Sequence, residues 1–480
     1  EVEFDTTGRP VELSLSSPGL KDLTVTVTSD LGCQAIEVFE RINFFENPSV
    51  DFSWINECSS TTPTAFSADA TDAGGADLQN YLWDFGDENT SDESNPLHVF
   101  EEPGVFDVSL TVSSSFNCSN QITRSVNIRP FEQFVSEDFY FEDFETGPNG
   151  WQTEADVDTL PNSWILAEID NEDGIIKTAY GGAGFAWVTD ATGSYTDGEQ
   201  SWVTSPCFNL ENLERPMVKM KIQNAFSDEF DGAALQYSYI YTENGVDRES
   251  DWINLKSVGE GINWFNSSNI AGNPGDGGNR GWTGFSVDGV DSTWIDVRAS
   301  LDTIKNINED ISFVRFRMAL GAFENDRNSE GVAFDDFWIG NRQKVILHEY
   351  FTNNTLSEAR ATDNGVDAFV ERSSVTKDVV DLQYHTISPF GDNLGLVNSS
   401  SISLRENYYT IPSVPYSAMG GNLFLGETDQ LLNGIIEDSL DIWTLQDPKF
   451  LINLEMDNDE LQKVINVNVT FSAYQDQDLT

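Results

Sequence analysis

Three histidines among 480 residues leave little material for acid–base or zinc chemistry. His98 sits in NPLHVF, His348 in KVILHEYF and His385 in VVDLQYHTI, so no two share a segment. HExxH, GxSxG and glycine-rich phosphate-loop patterns are absent from the chain. His348-Glu349 opens like a metalloprotease helix, but it lies in a strand pattern and the second histidine does not follow. Carboxylates are everywhere, 81 Asp and Glu against 25 Lys and Arg, so spacing alone picks out no glycosidase pair. No catalytic residue is assigned. What abundant carboxylates in loops can do is bind calcium, a hard cation that takes oxygen ligands from side chains and backbone carbonyls. Trp252, Trp264, Trp282 and Trp294 offer flat faces to a sugar ring, with sandwich core packing as the other use of such residues.

The formal net charge of −56 bears on partners. Such a surface repels nucleic acid and anionic lipid headgroups, and divalent cations or salt relieve its self-repulsion. A calcium-containing extracellular medium is the expected setting. No apolar run reaches the roughly 18 residues of a membrane-spanning helix, and no signal peptide opens the chain.

The elements that would position these residues are mostly strands. Tyr81 to Val112 reads strand, turn, strand: alternation through Tyr81, Trp83 and Phe85, a break at Gly86-Asp87, a polar loop to Pro96, then Pro103-Gly104 and the alternating Val105 to Val112. An offset of 85 residues carries Pro18-Gly19 onto Pro103-Gly104 and Cys33 onto Cys118, so a sandwich-sized unit is repeated. The WDFGD, NP and PG pattern resembles the PKD domain, an immunoglobulin-like module of secreted and cell-surface proteins. The complete copy is expected at 47–130. Residues 1–46 would be the second half of another copy, so the chain reads as a piece of a longer protein. Within the complete copy, Cys58 and Cys118 are expected to form a disulfide, with Cys33–Cys58 as the rival pairing and buried free thiols as the third option. Cys207 is expected as a buried free thiol. Asp84, Asp87 and Glu88 offer a calcium site or, more simply, turn chemistry.

Residues 136–342 carry strand-like runs separated by Gly, Asn and Asp-rich loops, which implies a jelly roll. FEDFE, AWVTD, Ser205-Pro206-Cys207 and AFDD resemble the MAM-like and carbohydrate-module-like jelly rolls that accompany PKD domains in secreted proteins of Bacteroidota. In those relatives a structural calcium often ties the first strand to the last. The matching carboxylates are Glu145, Asp335 and Asp336, and because strand neighbours point to opposite sides, one of the two aspartates is expected to face the loop and the other to be solvated. Residues 343–440 alternate strand and helix, ending in a helix from Glu427 to Leu440, and so predict a small α/β layer. This part resembles the thioredoxin-like domain of an outer-membrane-protein family, with EYFTNN where the family has its CxxC pair and Pro415 of SVPY at its cis-proline position. Without a cysteine after Cys207 the family's thiol chemistry is lost. Residues 441–480 look like the opening hairpin of another sandwich.

The fold class is therefore mainly β: tandem immunoglobulin-like sandwiches, a jelly roll, a small α/β thioredoxin-like domain and the start of a further sandwich. The expected function is a non-enzymatic fragment of a large extracellular or cell-surface adhesin or matrix-type protein of the type IX secretion kind. Its partners would be carbohydrate or other surface proteins, and further domains of the same polypeptide would flank it. The competing readings are accessory modules of a secreted hydrolase and a filament subunit.

Overall fold

A computed structural model of the chain describes residues 17–473, apart from 61, 73–76, 136–137, 156–161, 171–173, 183, 192, 244–245, 287–292, 308–309, 325–328, 376–377, 388–390, 422, 429–436 and 460–463. It is mainly β, and it divides into two compact units: residues 1–131 with 243–249, and residues 132–242 with 250–480.

In the first unit a sandwich forms from two antiparallel sheets. One holds Ser49–Ile55, Thr64–Thr71 and Leu97–His98; the other holds Thr90–Ser91, Leu78–Asp84, Gly104–Ser114 and Ser119–Ile128. Alternation does the sorting: Val108, Leu110 and Val112 point inward with 0% exposure, while the residues between them stay half-exposed. They close on Trp83, Phe52, Phe66 and Phe85, whose rings meet edge-on or tilted at 5.1 to 6.3 Å except for Trp83 and Phe85, which lie parallel at 6.3 Å. Gly86 is required where it stands, since its φ is +78° and a Cβ would lie 3.0 Å from the Asp107 carbonyl oxygen. Asp84 and Asp87 build the turn, accepting the backbone N–H of Gly86 and Asn89, and Asp87 Oδ2 lies 2.7 Å from His98 Nε2. Those bonds hold the Asp87 carboxyl below its usual range against the opposing effect of burial.

The repeat is visible in a turn. Gly19–Thr28 and Gln34–Phe44 form a hairpin that reproduces Gly104–Ser114 and Ser119–Ile128. In both copies a serine N–H donates to a cysteine carbonyl at 2.8 Å (Ser29 to Cys33, Ser114 to Cys118), with a residue of positive φ, Gly32 or Asn117, just before the cysteine. Cys33 and Cys118 both carry free thiols, and Phe45 stacks on Phe116 with centroids 3.7 Å apart.

This corrects the expected Cys58–Cys118 disulfide. Cys58 bridges to Arg129, beyond the Ile128 end of Ser119–Ile128, whereas Cys118 precedes the Ser119 end. Ten residues at roughly 3.3 Å each separate the two, and a disulfide needs Cα atoms within about 7 Å. Cys58 and Cys207 are the half-cystines, so the expectation of a free thiol at Cys207 is also corrected.

In the second unit two antiparallel sheets face each other. One is centred on Gln200–Asn209, Ile311–Gly321 and Gly232–Glu243; the other runs Trp164–Glu168, Phe185–Thr189, Gly331–Asn341, Pro216–Ala225, Ile295–Ser300, with Tyr140–Glu142 also on Gly331–Asn341. Their inner faces supply one core, including Phe208, Val218, Phe316, Phe334 and Phe337. Trp264 and Trp282 join it, 1% and 2% exposed and crossing edge-on at 5.1 Å, so two of the four tryptophans serve packing.

The α/β layer follows. Its sheet runs Val379–His385, Ile346–Thr352, Tyr416–Met419, Phe424–Glu427, the first pair parallel and the others antiparallel, with helices Ser357–Val375, Ser399–Tyr409 and Glu437–Thr444. Val414–Pro415 is cis. Gly420 and Gly421 adopt positive φ and turn the chain back into the strand Phe424–Glu427; the expected helix from Glu427 to Leu440 falls largely on residues 429–436, which lie outside the described residues, and Glu437–Thr444 is helical. Phe450–Asp459 and Val464–Ala473 close the described chain as an antiparallel hairpin.

Jelly roll and α/β layer share buried ion pairs. Arg215 donates to Asp378 Oδ1 from Nε and Nη2 at 3.1 and 2.6 Å and to the Lys344 carbonyl; Arg342, fully buried, approaches Asp378 at 3.3 Å and Asp302 at 2.8 Å.

Candidate functional site: an aromatic and charged cleft on the jelly roll

The sheet register sets four side chains in a row. Phe141 pairs with Trp338, Trp338 with Lys219, and Lys219 with Arg298, each on the next strand. Paired residues project to the same side of a sheet, and Met220, between Lys219 and Lys221, turns into the core. The outer side of this sheet therefore gathers Phe141, Trp338, Lys219 and Arg298, with Lys221 and Asp296 as the next pair along. These groups, together with Phe139, Tyr180, Asp336 and Asp447, line a cleft of about 430 Å³.

Its charges are mostly paired. Arg298 donates to Asp296 from Nε and Nη2 at 3.1 and 2.8 Å, to Asp447 at 2.8 Å and to the Leu445 carbonyl at 2.9 Å. Although burial opposes it, these carboxylates hold the guanidinium pKa well up, and Arg298 and Lys221 hold Asp296 down. Lys221 Nζ lies 3.3 Å from Asp296 and 4.8 Å from the Tyr180 ring centre. Lys219 Nζ stands 4.6 Å over the Trp338 ring, and burial pushes its pKa down. Trp338 stacks against Phe139 as well, at 6.0 Å. Because Asp447 and the Leu445 carbonyl come from the segment after the last α/β helix, the jelly roll does not complete this cleft by itself.

A bulge shapes the acidic rim. Lys219 pairs with Trp338 but Lys221 with Asp335, so one extra residue is accommodated where Asp336 adopts φ +49°. Phe334 and Phe337 enter the core while Asp335, opposite Lys221, and Asp336, in the cleft, share the outer side. The bulge, and not plain strand alternation, separates Asp335, which takes the Tyr180 N–H, from the more exposed Asp336. Asp336 is half-buried in the cleft. Asp335, 3% exposed, accepts the N–H of Tyr180 and of Asp336, and burial pushes its carboxyl up to about 7 with the charges of Asp336 and Glu145 adding to it. Glu145 accepts the Phe185 N–H at 3.0 Å. Asp335 and Glu145 thus accept the N–H groups of Tyr180 and Phe185, and among the described residues no three His, Cys, Asp or Glu side chains are placed to hold a metal.

Each of the three histidines lies against a carboxylate. His98 lies flat on Phe85 at 4.0 Å, and His385 pairs with Asp392 at 3.0 Å. His348 lies between Ser417, at 3.1 Å, and Asp381, at 2.6 Å, the order of a hydrolase triad. Ser417 and His348 are both fully buried, with Phe369 and Tyr350 against the imidazole, so no substrate reaches them. Trp252 packs on Arg317 at 4.4 Å, and Trp294 donates to the Thr178 carbonyl beside Tyr180.

Lys219, Lys221 and Trp338 were not singled out in the sequence. The signal was there: in an acidic chain, MVKMKI puts two lysines two residues apart on one side of a strand, and DFW does the same for Asp336 and Trp338. What was missing was the register that sets the two runs side by side.

The family profile described as "PKD domain" matches residues 46–129. Those residues form a PKD domain. A collagenase of Bacillus cereus, ColA, is 46% identical over 50 residues, 10% of this chain and 5% of its own length, and a second, ColQ1, is 34% identical over 64 residues, 13% and 7%. The chain thus spans only a small part of the curated relatives it matches. Among solved structures, the PKD1 domain of Vibrio anguillarum Epp is 25% identical, covering 18% of this chain and 95% of that one with a TM-score of 0.16. A carbohydrate-binding module of the β-sandwich superfamily is 12% identical, covering 61% and 98% with a TM-score of 0.22. No described helix is long and apolar enough to cross a membrane.

Proposed function

We propose that this chain is a non-catalytic, glycan-binding accessory part of a secreted hydrolase, with the cleft around Trp338 as its binding site and the PKD domain as a spacer. The cleft carries the reading: an aromatic ring flanked by hydrogen-bonding cations and carboxylates on an open sheet face is the chemistry that holds a sugar ring. The short likeness to collagenases favours an enzyme-attached module over the adhesin or filament readings. An extracellular location, the MAM-like and thioredoxin-like assignments and type IX export belong to the same proposal; the strand order supports the thioredoxin-like part. In affinity electrophoresis against a panel of soluble plant and microbial polysaccharides, the chain is expected to be retarded by at least one, and Trp338→Ala to weaken that binding at least about tenfold. Retention on insoluble collagen, with none on any polysaccharide, would shift the binding role to the PKD domain and overturn the cleft assignment.

Calcium at Glu145 and Asp335 is part of the proposal. Among the described residues neither carboxylate has a basic partner, and each accepts only backbone N–H groups, which leaves oxygen lone pairs for a hard cation. Calcium at 100 times its dissociation constant stabilises the native state by about 2.7 kcal/mol, so the intact chain is expected to melt on the order of 5 °C higher in calcium than in chelator. Asp335→Asn should remove the difference. Superimposable melting curves in calcium and chelator would dismiss the site.

A further inference from the structure

A second cleft, of about 340 Å³, adjoins the first along the strand Ile295–Ser300: Ile295 lines it, while Asp296 and Arg298 line the cleft around Trp338. Its floor is core. Trp264 and Trp282 are 1% and 2% exposed, and Phe265 meets their rings at 5.3 and 4.7 Å. Its wall is the loop from Gly259 to Asn266, held to the strand by Ile262 and Arg298, which exchange N–H to carbonyl bonds at 2.9 and 3.0 Å, and by the Asn263 amide, which donates to the Asp296 carbonyl at 2.9 Å. Within this loop Asn263 and Phe265 take left-handed backbone angles, φ +50° and +33°. For a side chain as bulky as phenylalanine that conformation is strained and persists only where packing imposes it, and strain of this kind gathers at binding sites.

Two features set the cleft apart. It is uncharged: 22% of the chain is Asp, Glu, Lys or Arg, yet none of the eleven residues lining the cleft is. It also presents an open ring. Phe285 is 51% exposed although both its neighbours are buried and fixed, Gly284 accepting the Phe226 N–H at 2.8 Å and Ser286 donating to the Asn224 carbonyl at 3.0 Å. Among the described residues no other ring stacks on it. In the same cleft Asn263 Oδ1 accepts no hydrogen bond from a described residue, and the Asn266 amide, bonded at both ends to the Thr283 backbone, keeps one N–H free. An aromatic face with amide groups near it suits a sugar, whose C–H face packs on the ring while its hydroxyls bond to the amides. An ionic ligand would give up water here and gain no counter-charge.

We propose that this cleft is a second glycan-binding site, specific for an uncharged sugar, in which Phe285 holds the sugar ring and Asn263 takes its hydroxyls. The proposal rests on the glycan-binding reading for its ligand class alone, and the two clefts are tested apart. Calorimetric titration of the intact chain at physiological salt uses three neutral hexasaccharides, cellohexaose, mannohexaose and chitohexaose, and the cationic glucosamine hexamer, which the acidic surface as a whole attracts. Trp338→Ala is the background, because it disables the first cleft. There at least one neutral hexasaccharide is expected to bind, Phe285→Ala to weaken it about tenfold, and Phe285→Tyr, which keeps the ring, to restore it. Affinity for the glucosamine hexamer should not change with Phe285. Near-ultraviolet circular dichroism of each variant reports on folding. Equal affinity with and without the Phe285 ring overturns the inference and leaves the Trp338 cleft standing, and so does loss of all hexasaccharide binding in Trp338→Ala when the parent binds. A glucosamine hexamer that depends on Phe285 as strongly as the neutral sugars overturns the selection for an uncharged sugar. If the parent binds none of the three neutral hexasaccharides while a polysaccharide still depends on Trp338, the second site is refuted and the first stands; dependence on Phe285 without dependence on Trp338 refutes the first and keeps the second.

Discussion

Asp378→Ala is expected to destabilise the jelly-roll and α/β unit by about 3–5 kcal/mol, the cost of stranding a buried charge. Asp378 is 4% exposed and takes two hydrogen bonds from Arg215 and a weaker approach from Arg342, both guanidiniums being buried between the two layers. Burial already pushes the Arg215 pKa down, with Asp378 as the main opposing influence. Removing the carboxylate leaves Arg215 with carbonyl acceptors only, and Arg342 with Asp302 as its remaining ion pair. Asp378→Asn keeps an acceptor and should cost less. In urea, the alanine variant is expected to unfold at clearly lower denaturant with an unchanged slope, and its melting point should fall on the order of 10 °C. A midpoint within error of the parent would mean that the two layers do not rely on this contact. The same contact decides how the jelly roll is to be studied: cut at residue 342, it would expose Arg215 and Arg342 without Asp378 and lose Asp447 from the cleft.

Trp83→Ala should come close to unfolding the PKD domain. Trp83 has no solvent exposure, meets Phe52 and Phe66 at 5.1 and 5.4 Å, and donates from its indole nitrogen to the Glu93 carbonyl at 2.9 Å. A Trp to Ala change in a core costs about 3–5 kcal/mol, against the roughly 5–15 kcal/mol that stabilises a typical domain. Limited proteolysis reads the outcome, with rapid cleavage between residues 46 and 129 while the jelly-roll fragment persists. Trp83→Phe keeps part of the apolar volume but leaves the Glu93 carbonyl without its donor, so it should fall between the two. Protease resistance equal to the parent would show that the ring cluster is not the domain's main support.

The elements were legible in the chain where one physical rule dominates. Val108, Leu110 and Val112 alternate because one side of their strand is core, and that reads off the sequence. Gly86 marks a turn because no Cβ fits against Asp107. Contacts between distant strands were not legible. Cys58 and Cys118 share a domain, and only the hairpin register shows that they stand at opposite ends of it. Lys219 and Trp338 are 119 positions apart, and they meet through strand pairing that no local pattern encodes. The reading of Asp335 and Asp336 rested on plain alternation, whereas a bulge, invisible in AFDDF, is what separates them.

The repeated turn has a practical use. Cys33 and Cys118 sit at equivalent points of two similar hairpins, both as thiols, while the other two cysteines are blocked as half-cystines. One reaction with a thiol-specific spin label therefore marks the same point in each copy without any substitution. The dipolar coupling between the two labels is a ruler for the step from one repeat to the next, and the Phe45–Phe116 stack beside the second label ties that step to a defined contact.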